Sequence, residues 1–285
     1  MGSLFLSQNY DSLNHFINFT HKLKFMLLEN KTALVCGSTQ GIGWETAKQL
    51  ADKGANVVLI ARNEETLKTK VQELSKNADQ KHGYLVADFS KPQELKQVLE
   101  QWVNAGNIAN ILINNTGGPK GGPIIDADIE EFTSTFNQHL ICNHILVQSL
   151  YKGMISSGYG RIINVISTSV KQPLNNLGVS NTIRGAVANW SKTLANELGQ
   201  YGITVNNVLP GATNTGRLQN IADAKSKKTG ESTSEIFDEM AKESPMKRIA
   251  EPSEVANAIV FLASPEASYI NGINIPVDGG RTKSL

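Results

Sequence analysis

The chain has 285 residues, with 27 Lys and Arg against 26 Asp and Glu, and 40% of it is hydrophobic. That length can bury a sizeable core as one large α/β domain or two smaller ones, while the even charge balance offers no field to attract nucleic acid or an anionic membrane surface. No apolar run approaches the roughly 20 residues of a membrane-spanning helix, so a small-molecule or protein partner is expected instead.

Residues 1–30 precede the first strand-like run. Within them Leu13, Phe16, Ile17 and Thr20 share one helical face after Asp11, a candidate N-cap. A docked or frayed extension and a partner-binding helix both fit, and Met26 is an alternative start. Asn, Asp and His interrupt the continuous apolar region that a signal peptide needs, and the two cysteines, Cys36 and Cys142, lack metal or disulfide-framework spacing. Both are expected to be core thiols in a cytoplasmic protein.

From Lys31 onward β-branched runs alternate with amphipathic stretches. In chain order the strands read "TALVC", "ANVVLI", "GYLVAD", "NILINN", "RIINVIS", "ITVNNVLP" and "GINIPVDGG", with helices over 44–53, 64–76, 92–104, 129–156, 179–200 and 252–263. This alternation predicts a doubly wound α/β fold of the Rossmann type, a parallel sheet of about seven strands with helices on both faces. With no linker and no internal repeat, residues 31–285 read as one domain. Residues 216–244, which contain "ADAKSKKTGESTSE", are too long and polar for an ordinary connection. A mobile lid over a site is one reading, a solvated insertion the other.

"CGSTQGIG" places Gly37, Ser38, Thr39, Gln40, Gly41, Ile42 and Gly43 between the first strand and the first helix. Glycine is needed where the chain turns sharply, where backbone approaches a pyrophosphate and where helix packs closely on strand. The helix N-terminus then faces the anion. The second strand ends on Ala61 and Arg62, where an NAD site would present a carboxylate to the ribose. Arginine suits a 2′-phosphate, so NADP is favoured over NAD; a surface arginine at a strand end is the plainer alternative.

With these elements in place the sequence resembles the short-chain dehydrogenase/reductase family from about Lys31 to its end. The resemblance rests on "CGSTQGIG", Ala87 and Asp88, "NNTGG" from Asn114 to Gly118, "GRIINVIS" ending at Ser167, "LPGATNT" from Leu209 to Thr215, and "VDGG" from Val277 to Gly280. Within the family it looks most like the branch of the 3-oxoacyl-acyl-carrier-protein reductases. The resemblance implies that Asp88 contacts adenine, that Asn114, Asn115, Thr116 and Gly117 line the adenine-ribose side, and that Pro210, Gly211 and Thr215 embrace the nicotinamide end. It also implies a homotetramer in which the long helices over 129–156 and 179–200 meet a neighbouring subunit. The apolar positions Ile183, Val187 and Trp190 of the second helix are equally consistent with burial inside one subunit.

Members of the family act through an Asn, a Ser, a Tyr and a Lys; the Tyr protonates the carbonyl oxygen as hydride arrives, and the Lys lowers the Tyr pKa and binds the nicotinamide ribose. Aligned without a gap, these positions fall on His139, Ser167, Ser180 and Arg184, and only Ser167 matches. No tyrosine occurs from Val170 through Gln200. Ser180 donates a hydrogen bond but is a far weaker acid than a phenol. Arg184 keeps a positive charge for the ribose, yet stays charged and relays no proton. His139 is either a packing residue or a replacement acid. Two functions remain open: a reductase or dehydrogenase of a small-molecule carbonyl or alcohol with an atypical active site, its proton coming from water or His139, or a dinucleotide-binding scaffold or sensor. No metal site is expected.

If Arg62 reads a 2′-phosphate, Arg62→Ala weakens NADPH binding and leaves NADH binding nearly unchanged. Fluorescence titration with both cofactors checks this; an equal loss for both would contradict it.

Overall fold

The computed structural model describes residues 27–76 and 79–284; Asp11, Leu13, Phe16, Ile17, Thr20 and Met26, singled out in the N-terminal segment, lie outside the described residues. The β-branched runs become strands because side chains on both of their faces are buried. Ala33 and Val35 join one apolar layer with Leu50, Leu59 and Ile259. Leu34 and Cys36 point the other way, into a layer with Leu99, Leu146, Ile162 and Leu198. This period of two on a doubly covered sheet is the pattern the sequence predicts.

The strands are β1 (Thr32–Cys36), β2 (Asn56–Ala61), β3 (Gly83–Val86), β4 (Ile111–Asn114), β5 (Gly160–Val165), β6 (Ile203–Pro210) and β7 (Asn274–Val277). They form a single seven-stranded sheet in the order β3-β2-β1-β4-β5-β6-β7, parallel throughout. Strand order reverses between β1 and β4, which opens a crevice at the C-terminal ends of the strands, the usual ligand position in open α/β sheets. The helices α1 (Gly41–Asp52), α2 (Glu64–Glu73) and α3 (Pro92–Asn104) follow the first three strands, and α4 (Ile129–Phe136) and α5 (Cys142–Ser156) follow β4. Next come α6 (Gly178–Leu198) after β5, α7 (Gly216–Thr229) and α8 (Thr233–Lys242) after β6, and α9 (Pro252–Ala263) before β7. Helices α1, α2 and α9 cover one face; α3, α5 and α6 cover the other.

One expectation needs correction. The helix expected over 129–156 is interrupted at Asn137–Ile141 by one π-helical turn, whose extra residue rotates the side chains after it relative to those before. Residues 216–244, read from the sequence as a lid or a solvated insertion, form a capped helical hairpin. Gly230 ends α7 at φ 81°, and Ser232 and Glu235 cap α8 reciprocally. Ala222 and Ile236 are its buried apolar contacts.

Ile183 and Val187 are buried within this chain, so the monomer core accounts for them. Both cysteines are free and buried as expected, and burial pushes the Cys142 thiol up to about 12. No helix among the described residues is long and apolar enough to cross a membrane.

Polar side chains also run through the sheet. Asn114, Asn164, Asn207 and Asn274 are register partners on the adjacent strands β4 to β7. Asn114 Nδ2 donates to Asn164 Oδ1 at 2.8 Å, Asn164 Nδ2 to Asn207 Oδ1 at 2.9 Å, and Asn207 Nδ2 to Asn274 Oδ1 at 2.7 Å. Asn164 Nδ2 also reaches Ser191 Oγ of α6 at 3.2 Å. Asn164→Ala strips a partner from Asn114, Asn207 and Ser191 at once, and buried polar groups left unpaired cost about 1–3 kcal/mol each. The expected result is a stability loss of roughly 2–4 kcal/mol in urea unfolding with an unchanged m-value; a loss below about 0.5 kcal/mol would show that the ladder contributes little.

Candidate active site

After β1 the chain turns at Gly37 with φ 57°, a left-handed conformation that glycine adopts without strain. At the start of α1 a Cβ on Gly43 would lie 2.3 Å from the Gly37 carbonyl oxygen, so a side chain there would force the helix off the loop. Asn115 holds the turn from the neighbouring strand, its Nδ2 donating to the carbonyls of Cys36 and Gly37 at 3.2 Å each. Ser38 is buried, with its hydroxyl turned to the Ile60 carbonyl, and Ile42 packs on the core. The N-cap Gln40 makes no side-chain cap and the first turn of α1 carries no acidic residue. Its leading N–H groups are therefore left for an anion. Gly41 faces Thr215 across the loop, where an added Cβ would come within 3.1 Å of Thr215 Cγ2. Thr39 completes the turn, and the whole fits a pyrophosphate.

Arg62 is exposed directly after β2, and Asn63 caps α2 by accepting from Thr66 N at 2.8 Å. At the end of β3 the Asp88 carboxylate accepts from Ser90 N at 2.9 Å. This hydrogen bond, helped by the charge of Arg62, holds its carboxyl below the usual range. A cation and an anion thus follow the neighbouring strands β2 and β3. In the "NNTGG" stretch several side-chain groups are already engaged. Asn114 Nδ2 is engaged in the ladder and Asn115 Nδ2 in the β1 turn. Thr116 bonds His139, and Gly117 O accepts from Gln138 Nε2 at 3.4 Å. On the far side Pro210 ends β6, Gly211 N donates to Val277 O at 2.9 Å, and Thr215 Oγ1 caps α7 by accepting from Leu218 N at 3.3 Å.

Between these sides lie the four aligned catalytic positions. Ser167 is part-exposed at the end of β5, and its Oγ accepts from Ser169 N at 3.1 Å at the head of a short 3-10 turn. Ser180 is part-exposed in the first turn of α6. One turn on, Arg184 is buried and donates through Nη1 to the Val165 carbonyl at 3.1 Å. Burial, then the like charge of Arg217, lowers its pKa to about 10, so it stays a cation at neutral pH. His139 sits in the π-helical turn with Nδ1 2.6 Å from Thr116 Oγ1, while its buried Nε2 has no partner. Burial first, then Arg184 and Arg217, push its pKa down to about 2. This favours a neutral packing and orienting group over a replacement acid, the two readings the sequence left open for His139.

Sequence reasoning missed Arg217. It extends from the first turn of α7 to the Pro119 carbonyl and lies against Gly118, bridging the hairpin to the loop after β4. Its position five residues before the "ADAKSKKTGESTSE" segment's first alanine, Ala222, gave no signal, because only folding brings it to Gly118. A separate cavity of about 190 Å³ lies beside this region, lined by Thr168, Gln172, Leu174, Glu243, Arg281 and Thr282 among others. Here the end of the hairpin meets the loop after β5.

A family model described as enoyl-(acyl carrier protein) reductase matches residues 37–282. The chain belongs to the short-chain dehydrogenase/reductase family, in its 3-oxoacyl-acyl-carrier-protein reductase-like branch. It is 30% identical over 259 residues to the NADPH-dependent reductase BacG of Bacillus subtilis (strain 168), covering 90% of this chain and 100% of that protein. Identity is 31% over 257 residues with the 3-oxoacyl-[acyl-carrier-protein] reductase FabG of Vibrio cholerae serotype O1, with 90% and 98% covered. Among solved structures, L-sorbose reductase from Gluconobacter frateurii complexed with NADPH and L-sorbose superposes with a TM-score of 0.85 at 32% identity, covering 91% of this chain and 99% of that one.

The state of His139 has a pH signature. Because its folded pKa lies below the value near 6.5 of an unfolded histidine, the unfolded chain takes up the proton first as pH falls, and stability declines below about pH 6.5. The His139 ring resonance is expected to stay constant from about pH 8 down to pH 4.5, and His139→Asn to shallow the acid decline in unfolding midpoint. A ring titrating near pH 6 would overturn this assignment.

Proposed function

We propose that this protein is an NADP(H)-dependent oxidoreductase that reduces the carbonyl group of a small molecule, a 3-oxoacyl compound being one candidate. The observation carrying this reading is the Gly37–Gly43 turn, where the helix start admits no side chain at Gly43 and leaves its N–H groups to an anion. The preference for NADP over NAD is supported by Arg62 after β2 and by the NADPH named for BacG and for the L-sorbose reductase structure.

When bound, NADPH supplies the hydride. Ser167 and Ser180, at the end of β5 and the start of α6, offer hydroxyl donors to the carbonyl oxygen. Charge that develops on that oxygen is stabilised by the buried Arg184 cation, held in place by Val165 O, in a site where such preorganised charge acts strongly. The proton then comes from water, since neither Ser180 nor the neutral His139 is a ready acid. Orientation and electrostatics are enough for a slow reductase.

A second reading, a non-catalytic or weakly catalytic dinucleotide-binding scaffold or sensor, is favoured by one specific feature, the aliphatic hydroxyl of Ser180 where relatives of this build use a phenol. A tetramer is also part of the proposal, supported by exposed apolar side chains such as Ile125, Ile129 and Tyr269; solution scattering at micromolar concentration tests it.

Single-turnover hydride transfer separates the two readings. Wild type, His139→Asn and Ser180→Tyr/Arg184→Lys are compared on 3-oxoacyl thioesters, diketones and quinones, with cofactor affinity measured separately. Transfer by wild type is expected to be slow but measurable, little changed in His139→Asn, and faster by about 100-fold in the double variant, the scale of a restored general acid. Cofactor binding with no transfer in any of the three would leave the scaffold reading standing.

A further inference from the structure

Two arginines converge on the crevice without an acid to meet them. Arg184 reaches from α6 to the carbonyl that ends β5, and Arg217 reaches from α7 to the loop that follows β4. Among the described residues neither forms an ion pair, whereas Arg248 is matched by Glu254 and Arg281 by Glu243. Arg161, the other buried arginine, is satisfied differently, by the carbonyls of Gly160, Gly202 and Ser264. Arg184 and Arg217 each have a single hydrogen bond among the described residues, out of five N–H donors in a guanidinium.

A third group shares their surroundings. His139 uses Nδ1 for Thr116, two residues before the Gly118 on which Arg217 lies, and its Nε2 is buried without a partner. Both arginines disfavour protonation of His139, and Arg217 disfavours that of Arg184. Setting a half-buried cation, Arg217, near the buried cation Arg184 is costly unless an anion joins them.

The cofactor does not supply that anion. Its pyrophosphate belongs at the start of α1 and its 2′-phosphate at Arg62 after β2, both on the other side of β4. The ribose and reduced nicotinamide directed toward Arg184 carry no negative charge. We propose that Arg217, with the Arg184 charge at the end of the neighbouring strand β5, binds a carboxylate on the substrate, so that the carbonyl compound this protein takes is an oxo acid. The inference rests on the reductase reading only for the word substrate; the anion site stands on the two arginines.

The full chain loaded with NADP⁺ is titrated calorimetrically with 2-oxobutanoate, 3-oxobutanoate and 4-oxopentanoate, each beside its uncharged methyl ester. At least one acid is expected to bind about tenfold or more tighter than its ester, the scale of a charged hydrogen bond. Arg217→Gln should erase that preference and Arg217→Lys keep part of it, with thermal midpoint and NADPH affinity confirming that both variants fold. Acid and ester binding alike, no acid binding at all, or a preference that survives Arg217→Gln would overturn the proposal. NADPH oxidation with the same pairs distinguishes the two layers. Turnover of esters without acid binding sinks the anion site and keeps the reductase. Acid binding that depends on Arg217 with no turnover of any compound keeps the anion site and sinks the reductase.

Discussion

The paired amides across β4 to β7 set the frame on which the site is built. A sheet covered by helices on both faces has no water to offer a buried amide, so each must find its partner on the next strand. Asn114, Asn164, Asn207 and Asn274 do so in register. A slip of one residue in any of these strands would bury an unpaired amide against an apolar layer. The ladder thereby aligns the C-terminal ends of the strands, where Asn115, Ser167 and Pro210 emerge. Through Ser191 it also ties down α6, the helix that carries Ser180 and Arg184. Next to it, Asn115 extends the same logic to the backbone of the Gly37 turn.

On the proposed reading, the chemistry on this frame is electrostatic rather than proton-relaying. Arg184 is a fixed cation, and Ser180 stands where the family resemblance places a phenol. Burial decides the state of His139, because a ring that is 1% exposed beside positive charge is most stable neutral. Its ring is then available to orient Thr116, and the π-helical turn is what brings it there.

The helical hairpin after β6 connects this centre to the rest of the surface. Its first turn leans on the glycine loop through Thr215 and on the β4 loop through Arg217, while its end shares a cavity with the segment after Ser167. Capping at Thr215, Gly230 and Ser232 keeps the lysine-rich α7 and the more acidic α8 ordered although they bury few apolar side chains.

Most of the fold was legible in the sequence because it depends on local patterns. Alternation of apolar residues marked the strands, and "CGSTQGIG" marked the turn, since close approach of backbone to backbone at Gly43 tolerates only one residue type. The absence of a tyrosine between Val170 and Gln200 was equally plain. The segment that carries Gly230 and Ser232 read only as a lid or a solvated insertion, since helices stabilised by caps and tertiary contact carry little apolar signal. What only the tertiary structure decided were the relations between distant positions: the amide pairing of Asn114 with Asn164, the burial that neutralises His139, and the arrival of Arg217 at Gly118. Each depends on segments tens of residues apart meeting in a dry interior, where desolvation and charge act over a few ångströms in space and leave no period in the chain.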